Sequence, residues 1–427
     1  MSTSRPLIKT LATWTGLCLL ALSPAAAQFE ERRLADDTRV NDELASTQGR
    51  PEVSAFDGGW VAVWESREGV ADLEIRAQIK TGLWVSDDIL VNDSSLGTQS
   101  GPAVGTDAQG NFVVVWSSNE PAEFGGDGSG WGIAARLFQA DGTPRGASFQ
   151  VNDFTAGHQM HPRVAMAADG SFIVTWRSNG SFGTDDSGSS VQARLFDANA
   201  TPIGLEFQVN DYTTFNQAYP DVAISPDGSF NIAWQSLLQD GSIDGIYVRR
   251  FSADGVALSG DRQANVQTLG AQSFPALATT ANGQTLVVWQ SEDQDHGLEI
   301  RGRLFNASTF PVGSEMELNT VEAGQQTEPD VSSVEGGFLV AWQSTRSMGD
   351  DDQGYSIQVR AVDERGRASA PEMQLNLSTE TNQKYVAIAG YGRTVAAVWE
   401  SQHLPGTDED VFVFEDRRAY VNSLTKR

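Results

Sequence analysis

An apolar run ending in Trp, any residue and Ser recurs seven times in this chain. The copies begin at Trp64, Trp116, Trp176, Trp234, Trp289, Trp342 and Trp399, spaced 52, 60, 58, 55, 53 and 57 residues apart. Self-similarity at such a period marks a repeat architecture, in which no unit can bury its apolar face alone and neighbours must stack to do it.

A second signature frames each unit. Val-Asn-Asp stands at Val40, Val91, Val151 and Val209, with weaker forms at Ala264-Asn265, Leu318-Asn319 and Leu375-Asn376. About seven residues on comes Gln-x-x-Pro, from Gln48, Gln99, Gln159, Gln217, Gln272 and Gln326; the seventh copy has Val386 where Pro is expected after Gln383. From the repeat Asn to the Trp the count is 23 or 24 in every unit.

Each unit reads as four short strands. One follows the Pro and ends at a tight turn with Asp-Gly or Asn-Gly, as at Asp169-Gly170 and Asn282-Gly283, a strong hairpin signal. The second is the run into the Trp, such as Phe112 to Trp116, whose lack of alternation fits a strand covered on both faces. The third ends in patterns such as Ala135-Arg136-Leu137-Phe138, and the fourth is of the type Phe149-Gln150-Val151-Asn152. Four-stranded units of this length predict an all-β fold, a seven-bladed β-propeller of four-stranded antiparallel blades. A β-solenoid is the second choice, because its coils are shorter. After the seventh third strand, Val411 to Asp416, the chain ends too early for a fourth. Asp37 to Asn41 matches a fourth strand with nothing ahead of it. Residues 37–41 are therefore expected to complete the last blade and close the ring, which removes an exposed edge.

Arg5, Lys9, the apolar stretch from Leu11 to Leu22 and Ala25-Ala26-Ala27 read as a secretory signal over residues 1–27. Residues 28–427 are then one propeller domain, exported to the periplasm or beyond the cell. Cys18, the only cysteine, lies in that signal, so the mature chain has no disulfide to rely on. The formal charge is −27. Such a surface repels nucleic acid and anionic membranes, and no later segment is apolar for long enough to span a bilayer. A monomer without membrane insertion is expected.

Most length variation falls between the second and third strands. Antiparallel succession puts that loop on the same rim as the Asn-Asp…Gln segments. Loops on a rigid scaffold commonly carry function. These loops are acidic and Gly-rich, and Asp293 with Asp295, and Asp350 with Asp352, come nearest to the alternating oxygens that calcium needs. The bland alternative, solvated turns, is the commoner outcome. Trp131 and Tyr355, also in variable loops, are candidate ligand-binding aromatics. The repeated Arg136, Arg194, Arg249, Arg303 and Arg360 favour structural pairing between blades. His158 and His161 lack an evident third metal ligand.

The whole pattern, Val-Asn-Asp…Gln-x-x-Pro…Asp-Gly-x-Phe-x-Val-x-Trp-x-Ser…Ala-Arg-Leu-Phe…Asp-Gly, resembles the propeller repeats of secreted bacterial proteins and is loosely similar to integrin-type propellers with calcium-binding loops. That resemblance covers nearly the whole mature chain and implies adhesion, scaffolding or ligand binding. The leading expectation is a secreted non-enzymatic module that recognises a protein or carbohydrate with its loop face, with Ca2+ as a candidate aid. The alternative is a propeller enzyme acting on glycans, a hydrolase or lyase. A scaffold of the cell envelope is a third reading. Two carboxylates and an Arg converging in the central funnel would favour the enzyme; a funnel of repeated Gln and Ser would favour the module.

Overall fold

The computed structural model describes residues 38–42, 47–67, 72–120, 127–293, 297–321, 323–351, 353–377, 379, 382–392, 394–402 and 409–416. The expected signal segment, Asp295 and Asp352 lie outside these residues. The described chain is strand and turn throughout, folded as a β-propeller of antiparallel sheets.

Six sheets have four strands each, and the expectation of seven uniform four-stranded blades is corrected at the first repeat. There Thr47–Phe56, Gly59–Arg67 and Glu74–Thr81 are followed by two short strands, Trp84–Val85 and Ile89–Leu90, which both pair with Glu74–Thr81. The cause is a divided outer strand. In other repeats the part near the turn shrinks to a single bridge, as Phe138 with Pro144, or fuses into one strand, as in Pro202–Gln208.

The N-terminal strand completes the last sheet. Thr38–Arg39 pairs with Glu409–Asp416, outside Thr394–Gln402 and Gln383–Tyr391. The Val40 amide donates to the Val411 carbonyl at 2.8 Å, and the Val411 amide donates to Asn41 Oδ1 at 2.9 Å.

The core lies between sheets. Each apolar cluster joins consecutive repeats, and one joins the first to the last, with Trp64 and Val53 against Val398 and Val411. The Trp of every repeat is buried, between 0% and 2% exposed. Its indole N–H donates to the repeat Gln in several units, for example Trp64 to Gln48 at 2.6 Å and Trp342 to Gln326 at 2.9 Å. The repeat Asn takes the amide of the third strand of its own sheet, as Asn152 from Ile133 and Asn376 from Ile357, both at 2.8 Å. Buried polar groups must be paired, and these bonds account for the fixed Asn-to-Gln-to-Trp spacing. The repeated Arg is structural, as its fixed place suggested. Arg194 Nη1 donates to the Val151 carbonyl at 2.7 Å and pairs with Asp153 at 2.8 Å, tying one repeat to the one before it.

Candidate functional site at the propeller axis

The innermost strands are Thr47–Phe56, Gln99–Thr106, Gln159–Met166, Gln217–Ile224, Gln272–Thr279, Gln326–Val334 and Gln383–Tyr391. Each breaks register at the same point, two to three residues after its Gln. A bulge of this kind re-aims side chains and often stands beside a site. The bulged residue has a left-handed backbone in every repeat: Arg50 (φ 47°), Gly101 (60°), His161 (56°), Tyr219 (49°), Phe274 (51°), Glu328 (50°) and Tyr385 (53°). All but Tyr385 precede a Pro, which makes a helical-type backbone still less favourable. The residues other than Gly101 store strain of order 1–3 kcal/mol each, and such residues cluster at functional sites.

These seven positions ring the mouth of the axis. His161 lies 5.0 Å from Tyr219, and Tyr219 4.7 Å from Phe274, centroid to centroid, so consecutive strands build an aromatic arc. Arg50 stands over Tyr385, and Lys384 over Tyr355.

One step deeper, just past the Pro, the sequence runs Glu52, Ala103, Arg163, Asp221, Ala276, Asp330 and Ala387. Three carboxylates and one guanidinium thus sit in a layer otherwise made of Ala. Arg163 Nη2 is 3.1 Å from Glu52 Oε1, with side chains 39% and 27% exposed. Groups on innermost strands keep that exposure only by facing an axial channel. Asp221 Oδ2 accepts the Leu277 amide at 2.8 Å, and Asp330 Oδ2 accepts the Ile388 amide at 2.6 Å. Further along, the channel widens to a cavity of about 860 Å3 lined by small and hydroxylated residues such as Ser54, Thr106, Ala278 and Ser333.

Electrostatics differ sharply between the groups. Burial, reinforced by Glu52 and Asp221, pushes the Asp330 carboxyl up to about 8. Burial also raises Glu52, Asp221 and Glu328. Arg163 is held above its ordinary value, because Glu52, Asp221 and Asp330 outweigh the burial that pulls it down. His161 is lowered to about 4, by burial first and then by Arg163, Arg177 and Arg50. A protonated acid and a neutral imidazole at neutral pH are the equipment of general acid–base chemistry, and opposed shifts are how such roles are assigned.

Of the residues singled out from sequence, His161 belongs to the ring and the others lie elsewhere. Trp131 is half-buried, and its amide donates to His158 Nδ1 at 3.3 Å. His158 is therefore turned to Trp131 while His161 faces the mouth, and the two do not form a metal pair. Tyr355 is half-buried beneath Lys384, the residue that precedes Tyr385 of the ring. Asp293 ends the strand Thr285–Asp293 opposite Gly297, and Asp350 is exposed. Their neighbour Asp351 is buried, with its Oδ2 accepting from Asn376 Nδ2 at 2.8 Å. No group of three or more His, Cys, Asp or Glu fit to hold a metal occurs among the described residues.

The axial residues do not show in what the repeats share. The signal was in the columns that flank the shared Pro, where residue type changes freely between fixed neighbours. A position that varies on a strictly repeated scaffold is where one molecule-wide site can be assembled.

No protein-family model matches the chain, and no curated protein sequence does either. Solved structures match it in fold. Polysaccharide lyase Uly1 aligns over 90% of this chain and 99% of its own, with TM-score 0.55 and 10% identity. An α-L-arabinanase of Penicillium chrysogenum, solved with arabinobiose, aligns over 90% and 98%, with TM-score 0.50 and 13% identity. A protein of unknown function from Dyadobacter fermentans aligns over 90% and 97%, with TM-score 0.54 and 9% identity. Identities this low establish the fold alone. Of the resemblance to secreted propellers, the propeller is what they support.

The leading expectation from sequence, a non-enzymatic binding or scaffold module, is overturned. The fold's neighbours include enzymes that act on glycans, so a propeller of near-equivalent repeats is no argument for passivity. That expectation also assumed the absence of any singular constellation. The axial layer, with its carboxylates and Arg163, is one.

Proposed function

We propose that this protein is a glycan-cleaving enzyme whose active site is the mouth of the propeller axis. The observation that carries it is the convergence of Glu52, Asp221, Asp330 and Arg163 in one channel below the strained aromatic ring. In this reading the five-stranded sheet counts as a seventh blade, so that all seven repeats surround the mouth. Hydrolysis and elimination share two needs: a proton donor for the leaving oxygen and a group that accepts a proton. Asp330, protonated at neutral pH, is assigned the first role, and neutral His161 the second. The Tyr219–Phe274 arc offers a face on which a sugar ring can stack.

The test is a panel of polysaccharides incubated with the mature chain, read by new reducing ends and by ultraviolet absorbance of an unsaturated product. Absorbance distinguishes elimination from hydrolysis. Cleavage of at least one substrate is expected, falling roughly 10²–10⁴-fold in Asp330→Asn and in His161→Ala, the usual worth of a proton-transfer group. No cleavage across the panel, or full activity in both variants, overturns the assignment. Among the described residues no helix is long and apolar enough to cross a membrane. Action outside the cytoplasm as a monomer belongs to the same proposal. So does calcium at Asp293 with Asp295 and at Asp350 with Asp352: a rise in melting temperature with calcium that matched sodium and magnesium reproduce would remove calcium from it.

A further inference from the structure

The residue between Trp and Ser has a repeated task. It accepts a hydrogen bond from the backbone around the left-handed residue of the following repeat. Glu65 takes the Gly101 amide at 2.8 Å, Ser117 that of His161 at 3.2 Å, and Gln235 that of Phe274 at 3.2 Å. Gln290 takes Glu328 at 3.4 Å, Gln343 takes Tyr385 at 3.0 Å, and Glu400 takes Arg50 at 3.4 Å. Six repeats hold the strained ring in this way. In the third the residue is Arg177, and a guanidinium accepts nothing. The Tyr219 amide therefore gets no such bond.

Arg177 gains nothing structural in exchange. Its Nε is buried without a partner, and among the described residues its guanidinium makes no hydrogen bond or ion pair. A buried, unpaired donor is costly; Arg76, Arg194 and Arg303 share such an Nε, but only Arg177 stands where the other repeats place an acceptor for the ring. Its charge reaches the mouth: Arg177 stands opposite Met160, the residue before His161, in the register of the paired strands, and it acts on His161 together with Arg163 and Arg50. Arg163 is already engaged by Glu52. Arg50 is exposed on the ring, its amide held by Glu400 and its guanidinium over Tyr385. On a chain of charge −27, Arg177 and Arg50 bring two guanidinium groups to one opening, beside the carboxyl of Glu328 on which Arg50 acts.

We propose that Arg177, with Arg50, is the anion handle of the mouth, and that the substrate is an acidic glycan whose carboxylate or sulfate ester docks there. This rests on the mouth being the glycan site. The planar fork of Arg suits both anions. The handle also ties recognition to reaction. A bound anion offsets two of the three cations that add to burial in lowering His161, so the imidazole becomes a better base when the right sugar is in place.

The experiment is calorimetric titration of the mature chain with three probes: an oligogalacturonate, its carboxyl-reduced neutral counterpart, and a sulfated neutral oligosaccharide of the same length. Arg177→Gln restores the residue that three other repeats use, so it should fold with a melting temperature equal to or above that of the wild type. Arg177→Lys keeps the charge without the fork. The expected result is preference for one of the acidic probes over the neutral one by roughly tenfold or more, lost in Arg177→Gln and partly kept in Arg177→Lys. Which acidic probe is preferred separates carboxylate from sulfate. Equal binding of all three, binding of none, or unchanged affinity in Arg177→Gln overturns the handle. Acid-selective binding without cleavage of any glycan would end the enzyme assignment and leave the handle standing. Cleavage of a neutral glycan without acid preference would do the reverse.

Discussion

Asp330 and His161 are displaced in opposite directions, and their pH signatures can be told apart. Asp330 rises from 3.8 to about 8, so between those values the native state holds a proton that the unfolded chain has lost. Stability from this group is full at low pH and falls as pH rises toward 8. His161 drops from 6.5 to about 4, so the unfolded chain binds more protons there, and stability falls as pH drops through that range. Below 6.5 the two oppose each other. Above it the Asp330 carboxyl acts without opposition from His161. The melting temperature should therefore decline from pH 6.5 to pH 8 and decline less in Asp330→Asn; an equal slope in the variant would place the carboxyl outside the buried cluster. The strain of the ring can be read separately. Glu328 combines a left-handed backbone with a carboxyl raised by burial. Glu328→Gly should stabilise the fold by about 1 kcal/mol, through relief of a conformation that glycine tolerates. A lower melting temperature would mean that Glu328 is held by contacts that outweigh its strain.

At the scale of the repeat, one Asn gathers the ends of several segments. Asn210 Oδ1 takes the Val191 amide at 2.9 Å, and its Nδ2 donates to Asp185 at 2.7 Å and to the Tyr212 carbonyl at 2.8 Å. Asn210→Ala leaves these partners buried and unpaired and should cost on the order of 2–4 kcal/mol. Trp234→Ala, which empties the space between two sheets, should cost on the order of 3–5 kcal/mol. Both are read by denaturant unfolding, and a change below about 1 kcal/mol in either would contradict the burial described. These elements were legible in the sequence because the same bonds recur in each unit, and recurrence exposes them. The acidic loops hide part of their structure for the converse reason. Asp185 and Asp351 look like free ligands in a string of letters, yet each points inward to a repeat Asn. The axial site was illegible because Glu52, Arg163, Asp221 and Asp330 are far apart in the chain and meet only when the ring closes. The divided strand of the first repeat was also hidden, since pairing continuity depends on local register rather than on residue type.

Closure of the ring concerns the whole molecule. A propeller has no central core that fixes its first sheet to its last, and each sheet packs only on its neighbours. The first and last repeats are joined by the cluster that sets Val40, Val53 and Trp64 against Ala396, Val398 and Val411. They are joined again by Thr38–Arg39 on Glu409–Asp416 and by Asn41 on the Val411 amide. The axial site depends on this seam. Glu52 belongs to the first repeat, while Arg163, Asp221 and Asp330 come from the third, fourth and sixth. If the seam opens, Glu52 moves away from Arg163, and Asp330 loses one of the carboxylates that keep it protonated. Removal of residues 28–42 should then do two things together. It should lower the melting temperature sharply, because Val40 is taken out of the cluster and an edge strand is lost at once. It should also remove glycan cleavage at temperatures where the chain is still folded. Asn41→Ala is the milder version, since it keeps the strand and takes away one buried acceptor, at a cost of about 1–3 kcal/mol. Measurement of activity and melting on both variants decides the matter. An unchanged melt after the deletion would show that another segment closes the ring, and activity that survives an opened seam would place the reacting groups within fewer repeats than the axial layer spans.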